Sequence, residues 1–236
     1  MGAHETAVHS ATKLDRAGQI AQLRAQMAAL GGGVERPVVD DTGTLAIAGP
    51  LSHVLPNSGI PRKAVTHCSD TPALIVELID QVTAAGGCTG VVGWPELSFA
   101  AIPAEGLERV IAVPQPGIED IAVAGVLAEG LDLVVLRTKT ALELTPVRAR
   151  PLLARLRKGS AALLAVNIAV PSPALSITAR IDHFHGIGEG LGRINGIELR
   201  VRAEQKGHRP ASATVTLGQQ PQQQPQQKRP HLRAVP

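Results

Sequence analysis

An alternation of short apolar runs with helical segments, between residues 45 and 170, constrains the fold of this chain most strongly. The runs are four or five residues long and apolar at nearly every position, so they predict strands that are covered on both faces. They are Val65–Cys68, Thr89–Val92, Val110–Val113, Leu133–Leu136 and Ala162–Val166. This alternation is typical of a βαβ domain, in which helices cover a mostly parallel sheet.

The segments between these runs carry apolar residues at helical spacing. Three helices are predicted, over residues 74–82, 118–127 and 147–156, and glycines at 86–87 and 159 are expected to end two of them. After Pro171 the pattern becomes alternating, which predicts antiparallel strands at the edge of the sheet. These strands are Ser176–Asp182, Gly196–Ala203 and Ser212–Leu217.

Both ends of the chain differ from this central domain. Residues 1–41 are predicted to contain an amphipathic helix that stops at three glycines. Its apolar stripe is expected to pack on its own domain or on another chain, including a second copy of this one. Residues 42–217 are predicted to form the α/β domain, and residues 218–236 a disordered, Gln/Pro-rich basic tail that cannot build a core. Candidate partner-binding residues at the two ends are Leu23, Met27, Leu30, Lys228, Arg229, Leu232 and Arg233. The tail is a short binding motif or a solubilising extension.

Composition excludes several classes of protein. The two cysteines lack a CxxC partner, and no apolar run approaches a membrane span, so we expect reduced thiols, no membrane contact and a cytoplasmic location. With only one Trp, two Phe and no Tyr, a binder that stacks single-stranded bases on aromatic rings is not expected. His183 and His185 share a strand face, but no further ligands are recognisable nearby, so no metal site is assigned.

The loop after the first buried strand has the layout of a phosphate-binding strand–loop–helix, but it lacks the residues that hold a phosphate. A working loop of this kind needs glycines, a lysine and a Ser or Thr that meets Mg²⁺. The residues present are His67, Cys68, Ser69, Asp70 and Thr71. They include neither glycine nor lysine, and Asp70 places a negative charge where an anion would bind. A hydrolytic triad from three such neighbours on one loop is not expected either, because they cannot adopt its geometry.

The order of the segments resembles the RecA-type ATPase core over roughly residues 14–217. Its strongest single piece is Gly59-Ile60-Pro61-Arg62 followed by a strand. The resemblance implies three further catalytic positions. Glu96 lies near the acidic catalytic segment, Arg137 stands where the Mg²⁺-associated aspartate of the Walker B strand belongs, and Asn167-Ile168 replaces the Asn-Gln nucleotide sensor. We therefore expect no ATP hydrolysis and no cofactor.

Three phrases are most similar to the ImuA family, specifically its ImuA-prime branch. They are Leu-Pro-x-x-Gly-Ile-Pro-Arg, Val-Val-Gly-Trp-Pro-Glu-Leu and Leu-Asp-Leu-Val-Val-Leu-Arg. The resemblance implies a non-catalytic accessory protein of damage-induced translesion synthesis, nucleoid-associated when in complex. Its implied partners are ImuB, an inactive Y-family polymerase homologue, and an error-prone C-family DNA polymerase. A SulA-like division inhibitor that binds FtsZ, or a RecA-paralogue DNA-binding protein, is the alternative.

Two internal features are candidate contact surfaces. Trp94 follows a strand at its carboxyl end, where α/β sheets bind ligands or partners, although packing under the next helix is the simpler role. A basic run on one predicted helix is either a solvated face or a patch for nucleic acid or an acidic partner. It comprises Arg148, Arg150, Arg155, Arg157 and Lys158.

Overall fold

The computed structural model describes residues 43–117, 119–188 and 191–218. Both terminal segments lie outside these ranges, as do all the partner-binding candidates predicted there. The strands are β1 (Thr44–Ala46), β2 (Gly59–Pro61), β3 (Val65–Cys68), β4 (Thr89–Val92), β5 (Val110–Val113), β6 (Leu133–Glu143), β7 (Ala162–Ala169), β8 (Leu175–Gly188), β9 (Leu191–Glu204) and β10 (Ala211–Gly218). The α-helices are α1 (Pro72–Ala84), α2 (Ala104–Leu107), α3 (Asp120–Ala128) and α4 (Pro146–Lys158), and short 3-10 turns span Gly49–His53 and Pro56–Ser58.

The described strands form an eight-stranded sheet in the order β10-β9-β8-β3-β7-β6-β4-β5, with β1 and β2 as a separate antiparallel pair. Strands β3 to β7 pair in parallel, and β8 also lies parallel to β3. Strands β9 and β10 then add to that edge as antiparallel neighbours. The predicted α/β architecture, with a mostly parallel sheet and antiparallel strands at one edge, is confirmed.

Helices cover both faces of the sheet, as the continuous apolar runs predict. Alternate residues of β6 point to opposite layers: Leu133 and Val135 belong to the core under α1, whereas Val134 and Leu136 belong to the core under α3 and α4. All four are buried. A run that is apolar at every position is therefore needed here, because neither face of this strand meets water.

One predicted buried strand is exposed. Strand β5 forms the outer edge of the sheet, and the side chain of Ile111 is 47% exposed. The sequence pattern missed this because an edge strand can be as apolar as a central one. Strand β6 also continues seven residues beyond its predicted end at Leu136, through an irregular register between Arg137 and Leu142.

The Gly-Ile-Pro-Arg phrase has a structural role on the amino side of β3. A Cβ at Gly59 would lie 2.3 Å from the carbonyl oxygen of Leu45, so the close approach of β1 to β2 requires glycine. Ile60 is fully buried. The Arg62 guanidinium donates to the Asp132 carboxylate at 3.2 Å and to the Ser160 carbonyl at 2.8 Å. The phrase thus joins the first β-pair to the base of the main sheet.

No helix within the described ranges has both the length and the apolarity needed to cross a membrane.

Leu164 of β7 tests the two-sided core. Its side chain is fully buried in the layer under α1, so Leu164→Ala should lower the free energy of unfolding by about 2–5 kcal/mol. The same change at Leu107, which is 40% exposed, should lower it by no more than about 1 kcal/mol. Urea denaturation of the two variants measures the difference, and equal losses would contradict the assigned core.

Candidate functional site

The carboxyl ends of four parallel strands bring the predicted catalytic positions together. Asp70 follows β3, Glu96 follows β4, and Arg137 and Asn167 lie within β6 and β7 beyond their most buried residues. The register pairs Arg137 with Val166, which in turn pairs with Cys68 of β3. Open α/β sheets bind their ligands at this edge. The structure therefore places the polar side chains where a ligand site belongs.

Arg137 and Asp70 form a bidentate ion pair at this edge. The Arg137 Nε lies 3.2 Å from both carboxylate oxygens of Asp70, and Nη2 lies 2.9 Å from Oδ2. Asn167 donates from Nδ2 to the same Oδ2 at 2.9 Å. The planar guanidinium matches the carboxylate geometry, which makes this kind of pair one of the stronger hydrogen-bonded contacts in proteins. We call the three residues Asp70, Arg137 and Asn167 the sheet-edge network.

The guanidinium of Arg137 is held from two further sides. Its Cζ lies 4.8 Å from the centre of the Trp94 ring, a cation–π distance, and Nη1 lies 3.8 Å from a carboxylate oxygen of Glu96. Trp94 is only 4% exposed, which favours the packing role for this residue over partner contact. Glu96 is 68% exposed in its side chain, so its attraction for Arg137 is weakened by solvent.

Backbone geometry keeps Asn167 and Arg137 in place. Asn167 adopts φ +59°, a left-handed conformation that asparagine tolerates better than most residues. Its side chain donates to the Thr138 carbonyl at 3.2 Å, and the Thr138 hydroxyl donates to the Asn167 carbonyl at 3.2 Å. Gly93 has φ +78°, and a Cβ there would lie 2.2 Å from the Arg137 carbonyl oxygen. The end of β4 can approach β6 this closely only with glycine.

The loop between β3 and α1 is bonded to β8. Its first residue, Ser69, donates its backbone N–H to the Ile177 carbonyl at 3.0 Å, and its hydroxyl accepts from the Ala179 N–H at 2.9 Å. The Thr71 hydroxyl donates to the Ala179 carbonyl at 3.1 Å, and its N–H to the Ser69 carbonyl at 2.8 Å. These donors are engaged within the protein, whereas a phosphate cradle needs them converging on a ligand.

The ion pair also sets the protonation of the loop. Desolvation alone would raise the pKa of Asp70, but hydrogen bonds from Arg137 and Asn167, together with the Arg137 charge, lower it below its ordinary value. Burial, and to a smaller extent the charge of Asp70, raises the pKa of the Cys68 thiol to about 12. Asp70 is therefore a carboxylate at neutral pH, and Cys68 is an unreactive thiol.

The three departures from the RecA pattern are one connected arrangement. Sequence comparison gives a missing phosphate cradle, a missing metal aspartate and an altered sensor as three separate losses. The structure joins the residues at those positions, because Asp70 and Arg137 pair directly and Asn167 completes the contact. The sequence shows an acidic residue after one predicted strand and a basic residue at the end of another, but it does not show that the two side chains meet.

The structure also describes the residues that the sequence suggested for a triad and for a metal site. The His67, Ser69 and Asp70 side chains form no triad, because Ser69 bonds to β8 and Asp70 to Arg137. In the described part of the chain, no group of three or more potential metal ligands is found. His183 and His185 of β8 lie with ring centroids 5.0 Å apart.

Helix α4, which carries the predicted basic residues, packs on the face of the sheet opposite α1. Arg148, Arg150, Arg157 and Lys158 are exposed, as is Arg155, which lies 3.7 Å from Glu129. The structure thus places the predicted basic patch on a solvent-facing surface.

The pairing of Asp70 predicts a pH-dependent contribution to stability. Since the folded-state pKa lies below that of the unfolded chain, about 3.9, the stabilisation is present above about pH 4 and is lost as pH falls through the folded value. Asp70→Asn should therefore be less stable than wild type at neutral pH, and the deficit should shrink in acid. Urea unfolding of both proteins across this range measures it, and a deficit that is independent of pH would contradict the assignment.

A family model and a relative both match this chain in sequence. The family model for the MT3502 N-terminal domain matches residues 53–172, which is about half of the chain and includes the whole sheet-edge network. A Mycobacterium tuberculosis protein described as uncharacterized protein Rv3395c is 33% identical over 196 residues, covering 78% of this chain and 90% of its own length.

Among solved structures, the RadB recombinase matches with a TM-score of 0.48 and 13% identity, over 71% of this chain and 92% of that one. The family assignment depends on the two sequence matches and not on this one. The chain belongs to the MT3502 N-terminal domain family.

Proposed function

We propose that this protein is a non-catalytic, RecA-like adaptor of damage-induced mutagenesis. On this proposal it assembles with ImuB and an error-prone C-family DNA polymerase during translesion synthesis, and it associates with the nucleoid through that complex. The partners follow from the resemblance of three sequence phrases to the ImuA-prime branch. Two of these phrases contain Arg137 or residues that contact it. Val-Val-Gly-Trp-Pro-Glu-Leu contains Trp94 and Glu96, and Leu-Asp-Leu-Val-Val-Leu-Arg ends at Arg137.

The observation that carries the non-catalytic part is the bidentate Asp70–Arg137 pair. A nucleotide at this edge needs cationic donors for its phosphates and a carboxylate for its metal. Here the charges at these two positions are the opposite of those that a nucleotide needs. The loop after β3, where the phosphates would lie, carries the carboxylate of Asp70, which repels phosphate. Strand β6, where the metal would be held, carries the guanidinium of Arg137, which repels Mg²⁺. Each group already has its partner within the protein.

Opening this site to a nucleotide would have a free-energy cost. The Arg137 and Asp70 side chains are 18% and 32% exposed, so separating them leaves two partly desolvated charges without partners. A phosphate that displaced Asp70 from Arg137 would still face that carboxylate. These contacts support a protein that acts through its surfaces and needs no nucleotide cycle.

The exposed basic residues of α4 support a contact with an acidic surface. Positive side chains spread along one exposed helix suit DNA phosphates or an acidic partner, and such contacts weaken as salt rises. In the proposed complex this helix faces the DNA that the polymerase copies. The predicted contacts at the chain ends would engage ImuB.

Nucleotide independence is the property that tests this function. The purified protein should bind ImuB in a pull-down, and ATP with Mg²⁺ should change the affinity by no more than about twofold, because the proposed adaptor has no nucleotide-bound state. In the same preparation, ATP hydrolysis with DNA present should not exceed the rate without protein.

Two results would contradict the proposal. Hydrolysis that disappears on mutating Asp70 or Glu96 would assign the protein to the ATPases. Binding to FtsZ and not to ImuB would instead identify a division inhibitor. Glu143→Gln, at an exposed position on β6, is the matched control for the Glu96 variant, because Glu143 takes part in none of the described hydrogen bonds or ion pairs of the network.

A further inference from the structure

A groove beside α1 has apolar walls and an acidic rim. Its volume is about 460 Å³, within the range of pockets that bind ligands or peptide side chains. The first half of α1 forms one wall, and the ends of β9 and β10 form the other. Apolar contacts are offered by Val76, Ile194, Ile197 and Leu217. Ile194 is 54% exposed, so part of this apolar surface is uncovered in the described structure.

The charges around the groove are all of one sign. Glu77, Asp80 and Glu96 line it, and its lining residues include no Lys, Arg or His. A carboxylate oxygen of Glu96 lies 3.8 Å from Nη1 of Arg137. Glu77 accepts a hydrogen bond from the neutral Gln81, and within the described ranges neither Glu77 nor Asp80 has an ion-pair partner. Such a groove favours an occupant with cationic and apolar side chains close together.

The chain itself continues from the groove into a segment of that composition. Gly218 is a lining residue, and residues 219–236 follow directly. That segment contains Lys228, Arg229 and Arg233 with no Asp or Glu, and Leu232 lies among them. The ten residues 219–228 span up to about 33 Å when extended, which reaches any part of a groove of this size.

We propose that this groove is the docking site for the chain's own residues 219–236. Lys228 and Arg229 pair with the carboxylates of Glu77 and Asp80, and Leu232 covers the apolar wall at Ile194. Tethering at Gly218 gives the segment an effective concentration in the millimolar range, so weak individual contacts are enough to fill the site. A partner with a similar basic segment would have to displace it.

Trypsin cleavage after Lys228 in the full-length protein tests the docking. When undocking is fast, the cleavage rate follows the undocked population. Cleavage should therefore be at least about fivefold slower than in a synthetic peptide of residues 219–236. Glu77→Gln combined with Asp80→Asn should raise the rate to near that of the peptide. The control, Glu105→Gln with Glu108→Gln, makes the same change in net charge at exposed residues outside the groove and should leave the protection intact.

Three outcomes would overturn the proposal. The first is cleavage of the wild-type chain as fast as of the peptide, which needs no variant to fold. The second is equal protection in the groove variant and in the control, since the segment would then bind elsewhere. The third is protection that grows with protein concentration, which would mean that the groove receives the segment of another copy.

Discussion

The interaction on which the rest of the site depends is the contact between the Arg137 guanidinium and the Asp70 carboxylate. Asp70, Trp94 and Glu96 surround the Arg137 guanidinium on three sides. Asn167 reaches the same carboxylate oxygen from the neighbouring strand. One guanidinium thus ties together the ends of β3, β4 and β6, and the edge of the sheet becomes a satisfied polar cluster.

This cluster gives the polar residues at the edge of the sheet partners within the protein. A buried or half-buried charge needs a partner, and here each charge finds one within the protein. Two backbone features accompany these contacts: Asn167 has a left-handed conformation, and glycine at position 93 allows β4 to approach β6 closely. The loop between β3 and α1 is bonded to β8, which fixes the direction from which Asp70 approaches.

Sequence periodicity predicted the fold well because a strand that is buried on both faces is apolar at nearly every position. Four predicted parallel strands, at 65–68, 89–92, 133–136 and 162–166, fall inside observed strands buried on both faces. The exposure of β5 was missed because position in a sheet is a tertiary property. The site was predicted only as a set of absences, since a linear sequence does not show that residues 67 positions apart, Asp70 and Arg137, form a bond. The sequence pattern did not predict the groove beside α1, because its walls come from strands and a helix that are far apart in the chain.

A double-mutant cycle between Asp70 and Arg137 tests the central claim, that these residues form one energetically coupled pair. Asp70→Ala, Arg137→Ala and the double variant are compared with wild type by urea unfolding at neutral pH. We predict a coupling free energy of at least about 1 kcal/mol, because removing either partner leaves the other charge unpaired and removing both does not. Losses that add to within about 0.3 kcal/mol would show that the two residues are independent and would contradict the account.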